Sequence, residues 1–436
     1  MEVSTLTITV FGLLVLLLCI GVPISFALCG IATVGIFFIW GPKGLYLMFN
    51  TAYGEATNFL LLAIPLFVFM ANMLKFSGMG DQLYEVVYRW MGRVPGGLAI
   101  GTVVICALFA AMAGISSVAT ISMGLIALPS MMKRNYEKNL AIGSIAAGGA
   151  LGILIPPSII MILYGAVAEV SIGKLFIGGI IPGIVLCLIF IVYIFFRVLI
   201  NRDVAPPVQD RYSFRQKLRV LGGVILPILL VFLVLGVIYG GVCTPTEASA
   251  VGAFGAIICA LVYRKLTWSN LKTALWDTMK LNAMVFWIII GALSFSHFLA
   301  YAEIQDLIHE TILALEVSPW LILISMQFVF FILGMFLDPA GIIMLTTPIF
   351  VPIVTSLGFD PLWFGILFVI NMEMAYITPP FGFNLFILKG VVPPSISMTD
   401  IYRSIIPFVL LQAFCLILVM VFPELALWLP EKMITR

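Results

Sequence analysis

Residues Gly149 to Gly165 read GALGILIPPSIIMILYG, an apolar run interrupted at its centre by Pro156-Pro157. Proline lacks a backbone donor and clashes with the preceding turn, so a helix has to open there. Inside a bilayer, opened backbone persists only where protein buries it or where it lines a wet cavity. A second interruption of the same kind lies at Ile377-Thr378-Pro379-Pro380, within EMAYITPPFGFNLFILKG. Two broken apolar segments in matching positions of two halves point to a solute site near the middle of the membrane.

The rest of the composition agrees with a membrane setting. Of the 436 residues, 63% are hydrophobic and 10% charged, and the mean hydropathy is +1.21. A soluble domain carries about a quarter charged residues. The apolar runs are long and continuous rather than alternating in ten-residue strands, so the expected class is an all-α polytopic membrane protein and not a β-barrel. The opening MEVSTLTITVFGLLVLLLCIGVPISFALCG has no basic n-region and reads as a retained membrane helix rather than a cleaved signal. The net charge of +2 gives no signal for nucleic acid. All seven cysteines (Cys19, Cys29, Cys106, Cys187, Cys243, Cys259 and Cys415) lie in apolar runs without metal spacing and read as small packing residues. His297 and His309 are isolated, so neither a transition metal nor a cofactor is expected.

In chain order, membrane helices are expected at 4–20, 22–40 and 57–76, followed by a one-sided amphipathic segment, SGMGDQLYEVVYRWMGRVPGG, at the membrane surface. Residues 96–112 and 118–131 flank the small, polar Ala113 to Ser117 and read as a re-entrant hairpin. The broken helix at 140–168 and a span at 175–197 complete the first half. The polar stretch 198–219 is the joint. The second half repeats the plan, with spans at 220–240, 246–263 and 281–300, a surface segment YAEIQDLIHETILALEV, a hairpin at 319–356 with its tip at Leu337 to Gly341, a broken helix at 361–390 and a last span at 402–428.

The repeat shows in the numbering. Pro129 and Pro352 are 223 positions apart, as are Pro156 and Pro379, and the tip residues Ser116 and Pro339 keep that offset. Charge then sets orientation. The first surface segment and its following loop carry Lys75, Arg89, Arg93, Lys133, Arg134 and Lys138, whereas their second-half counterparts carry Glu303, Asp306, Glu310, Glu316 and Asp360. The halves therefore face opposite ways. With the connector in the cytoplasm, Lys43, Lys174, Lys432 and Arg436 fall outside, the other 18 of 22 Lys and Arg fall inside or at the inner boundary, and both termini are periplasmic. An inverted repeat of this kind is the structural basis of alternating access.

Candidate chemistry gathers at the tips and breaks. Freed carbonyls suit a hard cation such as Na⁺, and inward-pointing helix N-termini favour an anion. Ser116, Ser117 and Thr120, beside Gly114, either offer hydroxyls or let helices pack closely. Ser158 either binds a ligand or back-bonds to a freed carbonyl. Asp338, a carboxylate at depth, is a functional candidate by default and also a good N-cap before Pro339. Thr346 and Thr347 follow it, toward the site or toward neighbouring helices. Thr378 and Asn384 flank the second break. Glu373 reads as a structural hydrogen-bonding group, and Glu247 as a helix cap.

Taken together, GMFLDPAGIIMLTTPIFVPI, ITPPFGFNLFILKG, CTPTEASAVGAFGA and GILIPPSIIMILYG resemble the large membrane subunit of tripartite ATP-independent periplasmic (TRAP) transporters over nearly the whole chain. At the first tip, Val118 stands where the family pattern Ser-Ser-Pro-Ala-Thr has proline. The resemblance implies Na⁺-driven import of a small organic anion across the bacterial inner membrane by an elevator mechanism. It also implies a four-helix small membrane subunit, expected as a separate chain, and a periplasmic solute-binding protein. Carried over, the Na⁺ sites comprise Gly114, Ser116, Ser117, Gly152 and Pro156, and Asp338, Gly341, Thr378 and Pro379. The solute lies between them, near Ser116, Ser158, Asp338 and Asn384.

The division this implies is scaffold helices and arm at 1–95, transport core at 96–170, a linking span at 171–200, the cytoplasmic connector at 201–219, scaffold and arm again at 220–318, core at 319–392, and the last span with the C-terminus at 393–436. The rival readings are a stand-alone Na⁺/organic-anion symporter, a passive channel and, more remotely, an intramembrane enzyme.

Overall fold

A computed structural model of the chain describes residues 2–433, so Arg436, expected on the outer face, lies outside the described residues. The first half holds α1 (Val3–Cys19), α2 (Ile24–Trp40), α3 (Tyr46–Ala56), α4 (Ala63–Phe76), α5 (Met79–Met91), α6 (Gly97–Ala113), α7 (Ser116–Met132), α8 (Lys138–Ala150), α9 (Ile159–Val167) and α10 (Ile172–Ile200). The connector contains α11 (Phe214–Leu221). The second half holds α12 (Ile225–Tyr239), α13 (Pro245–Val262), α14 (Trp268–Tyr301), α15 (Ile304–Leu313), α16 (Pro319–Gly334), α17 (Pro339–Ser356), α18 (Pro361–Tyr376), α19 (Phe383–Val391), α20 (Met398–Val421) and α21 (Glu424–Glu431). Among the described residues, six helices are long and apolar enough to cross a membrane, or seven if the bent pair α11–α12 counts as one span.

The offset in the prolines is also an offset in the helices. Helix α7 begins at Ser116 and α17 at Pro339, and α8 begins at Lys138 and α18 at Pro361, each pair 223 apart. Packing is reciprocal between the halves: α4 packs on α13 as α14 packs on α2, and α7 packs on α19 as α17 packs on α9. Exchange of equivalent partners is what a two-fold relation produces. Each half runs through leading apolar helices, a hairpin, a broken helix and a closing helix in the same order.

The first hairpin is held against the first break by backbone contact. Its limbs have 17 residues each, which at 1.5 Å per residue is about 25 Å, short of a hydrocarbon core of about 30 Å. Gly114 ends α6 in the left-handed region at φ +60°, with its amide donating to the Ala110 carbonyl. A Cβ there would run into the Pro157 carbonyl oxygen, and one on Gly152 would run into the Ser116 backbone. The tip therefore stacks on the break between α8 and α9, halfway along that crossing. Both diproline peptide bonds, Pro156-Pro157 and Pro379-Pro380, are cis.

The surface segment is amphipathic as read. Met79, Leu83, Tyr84 and Val87 of α5 are buried at i, i+4, i+5 and i+8, which is one helical face. The connector is tied down as well as polar: Trp90 Nε1 donates to the Lys217 carbonyl at 3.0 Å, and the Glu137 amide donates to the Val204 carbonyl at 2.7 Å.

Several boundaries differ from the sequence reading. Residues 46–56, left between spans, form α3, which packs on α14 through a 2.9 Å Thr51–His297 hydrogen bond. Helix α14 begins at Trp268, not near 281, because Thr267 caps it and Lys272, Asp277 and Lys280 lower the hydropathy of residues that are nonetheless helical. The connector's end is helical from Phe214, started by a Ser213–Gln216 capping box. The last span stops at Val421, because Pro423 has no amide to continue it, and α21 turns back onto α10. The second tip is Met335 to Asp338. Pro339 to Gly341 already belong to α17, as Ser116 and Ser117 already belong to α7.

Gly152→Ala should lower the thermal midpoint of the purified protein, by the equivalent of about 1–3 kcal/mol for an overpacked site. Gly12→Ala, where nothing lies within 4 Å, should leave it unchanged. Equal midpoints for the two variants would mean that the tip does not bear on the break.

Candidate functional site

Both tips and the helices after both breaks border one cavity of about 370 Å³. Gly114, Ser116 and Ser117 come from the first tip, Asp338 and Ala340 from the second. Ile159 and Ile160 begin the helix after the first break, Tyr376 ends the helix before the second, and Phe383 begins the helix after it. The opposite wall is α2, through Pro23 to Ser25, and α14, through Met284, Val285 and Ile288. The first turns of α7, α9, α17 and α19 thus converge. A helix start carries a partial positive charge that favours an anion, although Ser158 and Asp338 cap the starts of α9 and α17. The wall is otherwise mostly apolar, with a few polar groups, as small-molecule sites are. Asp338 is its one charged side chain among the described residues.

The sequence matches the family described as tripartite ATP-independent periplasmic transporter, DctM component, over residues 11–425. The chain belongs to this DctM family. It is 36% identical to the C4-dicarboxylate TRAP transporter large permease protein DctM of Pseudomonas aeruginosa, covering 93% of this chain and 94% of that protein. It is 31% identical to the isethionate TRAP transporter permease protein DctMQ of Oleidesulfovibrio alaskensis, covering 96% of this chain and 65% of that protein. Other relatives are named for ectoine and for sialic acid. The crystal structure of the Alcanivorax borkumensis YdaH transporter superposes with TM-score 0.64 over 94% of this chain and 98% of that one, at 15% identity, which shows a shared fold. This DctM protein is a transporter component and not an enzyme.

Within the DctM chain, the residues singled out from sequence have distinct placements. Ser116 Oγ donates to Asn384 Oδ1 at 2.6 Å, joining the first tip to the start of α19. Asn384 is fully buried behind Ser116, and its amide nitrogen has no partner among the described residues. Ser117 lines the cavity. Asp338 caps α17, its carboxylate accepting from the Ala340 and Gly341 amides at 3.3 and 3.2 Å, and it also lines the cavity.

Ser158 is turned away from the cavity. Its hydroxyl donates to the Ile153 carbonyl at 2.6 Å and accepts from the Met161 amide at 3.4 Å, so it spans the break and caps α9. Gly152 and Pro156 are buried behind the first tip. Thr378 donates to the Met374 carbonyl at 2.7 Å, Pro379 is half-buried and Gly341 faces Ile24. The Thr120 and Thr346 hydroxyls bond back to their own helices. Glu373 is fully buried and accepts from Gln412 at 3.3 Å. Glu247 caps α13, accepting from the Thr244 amide and hydroxyl at 2.8 and 2.9 Å.

The wall supplied by α2 and α14 escaped the sequence reading, because its residues look like any apolar span.

Ser116→Ala and Asn384→Ala should be coupled. Interhelical hydrogen bonds in membranes average about 0.6 and reach about 2 kcal/mol, so the double variant should unfold little below the worse single one. Additive losses would show that the 2.6 Å contact carries no stability.

Proposed function

We propose that this DctM chain imports a small organic anion, carboxylate or sulfonate, down a Na⁺ gradient. The observation that carries the reading is the cavity's charge balance. It presents four helix starts and one carboxylate, Asp338, and no Lys, Arg or His among the described residues. A carboxylate solute beside Asp338 needs a mobile cation, and helix breaks with freed carbonyls suit Na⁺. The first cation group is Gly114, Ser116, Ser117, Gly152 and Pro156. The second is Asp338, Gly341, Thr378 and Pro379. Ser116 and Asp338 face the solute, Asn384 orients Ser116, and Ser158 holds the break open. The relatives' solutes support an acid-bearing small molecule.

In this reading the hairpins and broken helices, residues 96–170 and 319–392, slide against a scaffold that includes α2 and α14. The cavity lies on the seam between the two bodies. The connector side, where Arg197 pairs with Glu137 and Lys138 with Asp400, faces the cytoplasm, and the termini face the periplasm. A four-helix small membrane subunit supports the scaffold, and a periplasmic binding protein delivers the solute, as befits a tripartite system in the bacterial inner membrane.

Proteoliposomes holding the complex, given binding protein and a panel of succinate, isethionate and sialic acid, should take up one solute when Na⁺ is higher outside. Asp338→Ala at matched protein should slow uptake by about 5- to 150-fold, the span of ordinary coupling energies. Unchanged uptake would remove Asp338 from the mechanism, and uptake indifferent to the Na⁺ gradient would remove Na⁺.

A further inference from the structure

We propose that the outer groove between α10 and α20 binds an anionic phospholipid from the leaflet on the connector side. Two cavities meet there, and Tyr193 lines both. The first, about 140 Å³, is polar and basic, with Asn139, Arg197, Arg403 and Ser404 in its wall. The second, about 510 Å³, is an apolar trough whose walls include Leu188, Val192 and Phe196 of α10 and Leu411 and Phe414 of α20. Neither touches the solute cavity.

The arrangement has the polarity of a lipid. Arg197 lies near the end of α10 that leads to the connector, and Arg403 lies in the second turn of α20. From Arg197 the trough runs back to Val185, and from Arg403 forward to Phe414. At 1.5 Å per residue both runs are about 16–18 Å, close to half of a hydrocarbon core of about 30 Å. One acyl chain therefore fits between the headgroup pocket and the bilayer midplane. Tyr193 sits at the junction, where an amphipathic ring belongs.

Charge selects the headgroup. Glu137 holds Arg197 through two contacts, at 2.9 and 3.0 Å, and Lys138 is paired with Asp400. Arg403 is exposed and forms no ion pair among the described residues. The pocket keeps one uncompensated positive charge, which matches one phosphodiester. Basic pockets between membrane helices at this depth bind anionic headgroups. A free phosphate would use the pocket and leave the trough bare. The trough is what favours a lipid.

The full-length protein, stripped of lipid in detergent, would be titrated with phosphatidylglycerol, phosphatidylcholine or inorganic phosphate. Retained adducts would be counted by native mass spectrometry and midpoints followed by thermal unfolding. Phosphatidylglycerol should be retained about fivefold more strongly than phosphatidylcholine, and phosphate should shift nothing. Arg403→Glu should bring the two lipids within about twofold, and Leu411→Trp, which fills the trough, should weaken phosphatidylglycerol. Should Arg403→Glu fail to fold, Arg403→Gln serves in its place. Equal retention of both lipids, unchanged selectivity in the Arg403 variant, or a phosphate effect equal to that of phosphatidylglycerol would overturn the proposal.

Discussion

A helix opened inside a bilayer has to be covered by protein or by a wet cavity, and most of this architecture follows from that constraint. Pro156-Pro157 and Pro379-Pro380 open two crossings. Each hairpin brings a tip to the shared cavity. At the first break the cover is close enough that Gly114 and Gly152 leave no space for a Cβ. The duplicated plan does this twice in opposite directions, so the two tips and two breaks share one cavity instead of forming two remote ones.

Sharing one cavity has an electrostatic consequence. Four helix starts border the same space, while its one charged side chain among the described residues, Asp338, is negative and is itself engaged in capping α17. Fixed dipoles of this kind attract an anion without holding it as tightly as an arginine pair would. A carrier that must release its solute gains from that. The Ser116–Asn384 hydrogen bond crosses from one half of the repeat to the other, so the site is integral to the joint between the halves. The apolar wall from α2 and α14 lies opposite the tips and breaks.

Much of this was legible in the sequence because proline positions survive where side chains diverge. The 223-residue offset between the prolines recurs between the starts of α7 and α17 and of α8 and α18, although the reading had placed Ser116 and Pro339 in the tips. Asp338 stood out because a carboxylate in an apolar run is costly. What escaped notice was what hydropathy does not encode. Helix α14 extends to Trp268 through charged residues that remain helical. Helix α3 is short, at 11 residues. The far wall is made of ordinary valine, methionine and isoleucine, whose role depends only on where the fold places them. For Ser158 the reading left ligand and brace open, and its two short-range hydrogen bonds are those of the brace.

The central claim, that tips and breaks form cation sites before the solute arrives, is tested most directly by thermal unfolding of the purified protein in NaCl, KCl and choline chloride at equal ionic strength. A ligand that binds only the folded state stabilises it by about 2.7 kcal/mol at a hundred times its dissociation constant. The expected result is a midpoint that rises in NaCl alone and rises less in Ser116→Ala. Identical midpoints in the three salts would contradict preformed Na⁺ sites.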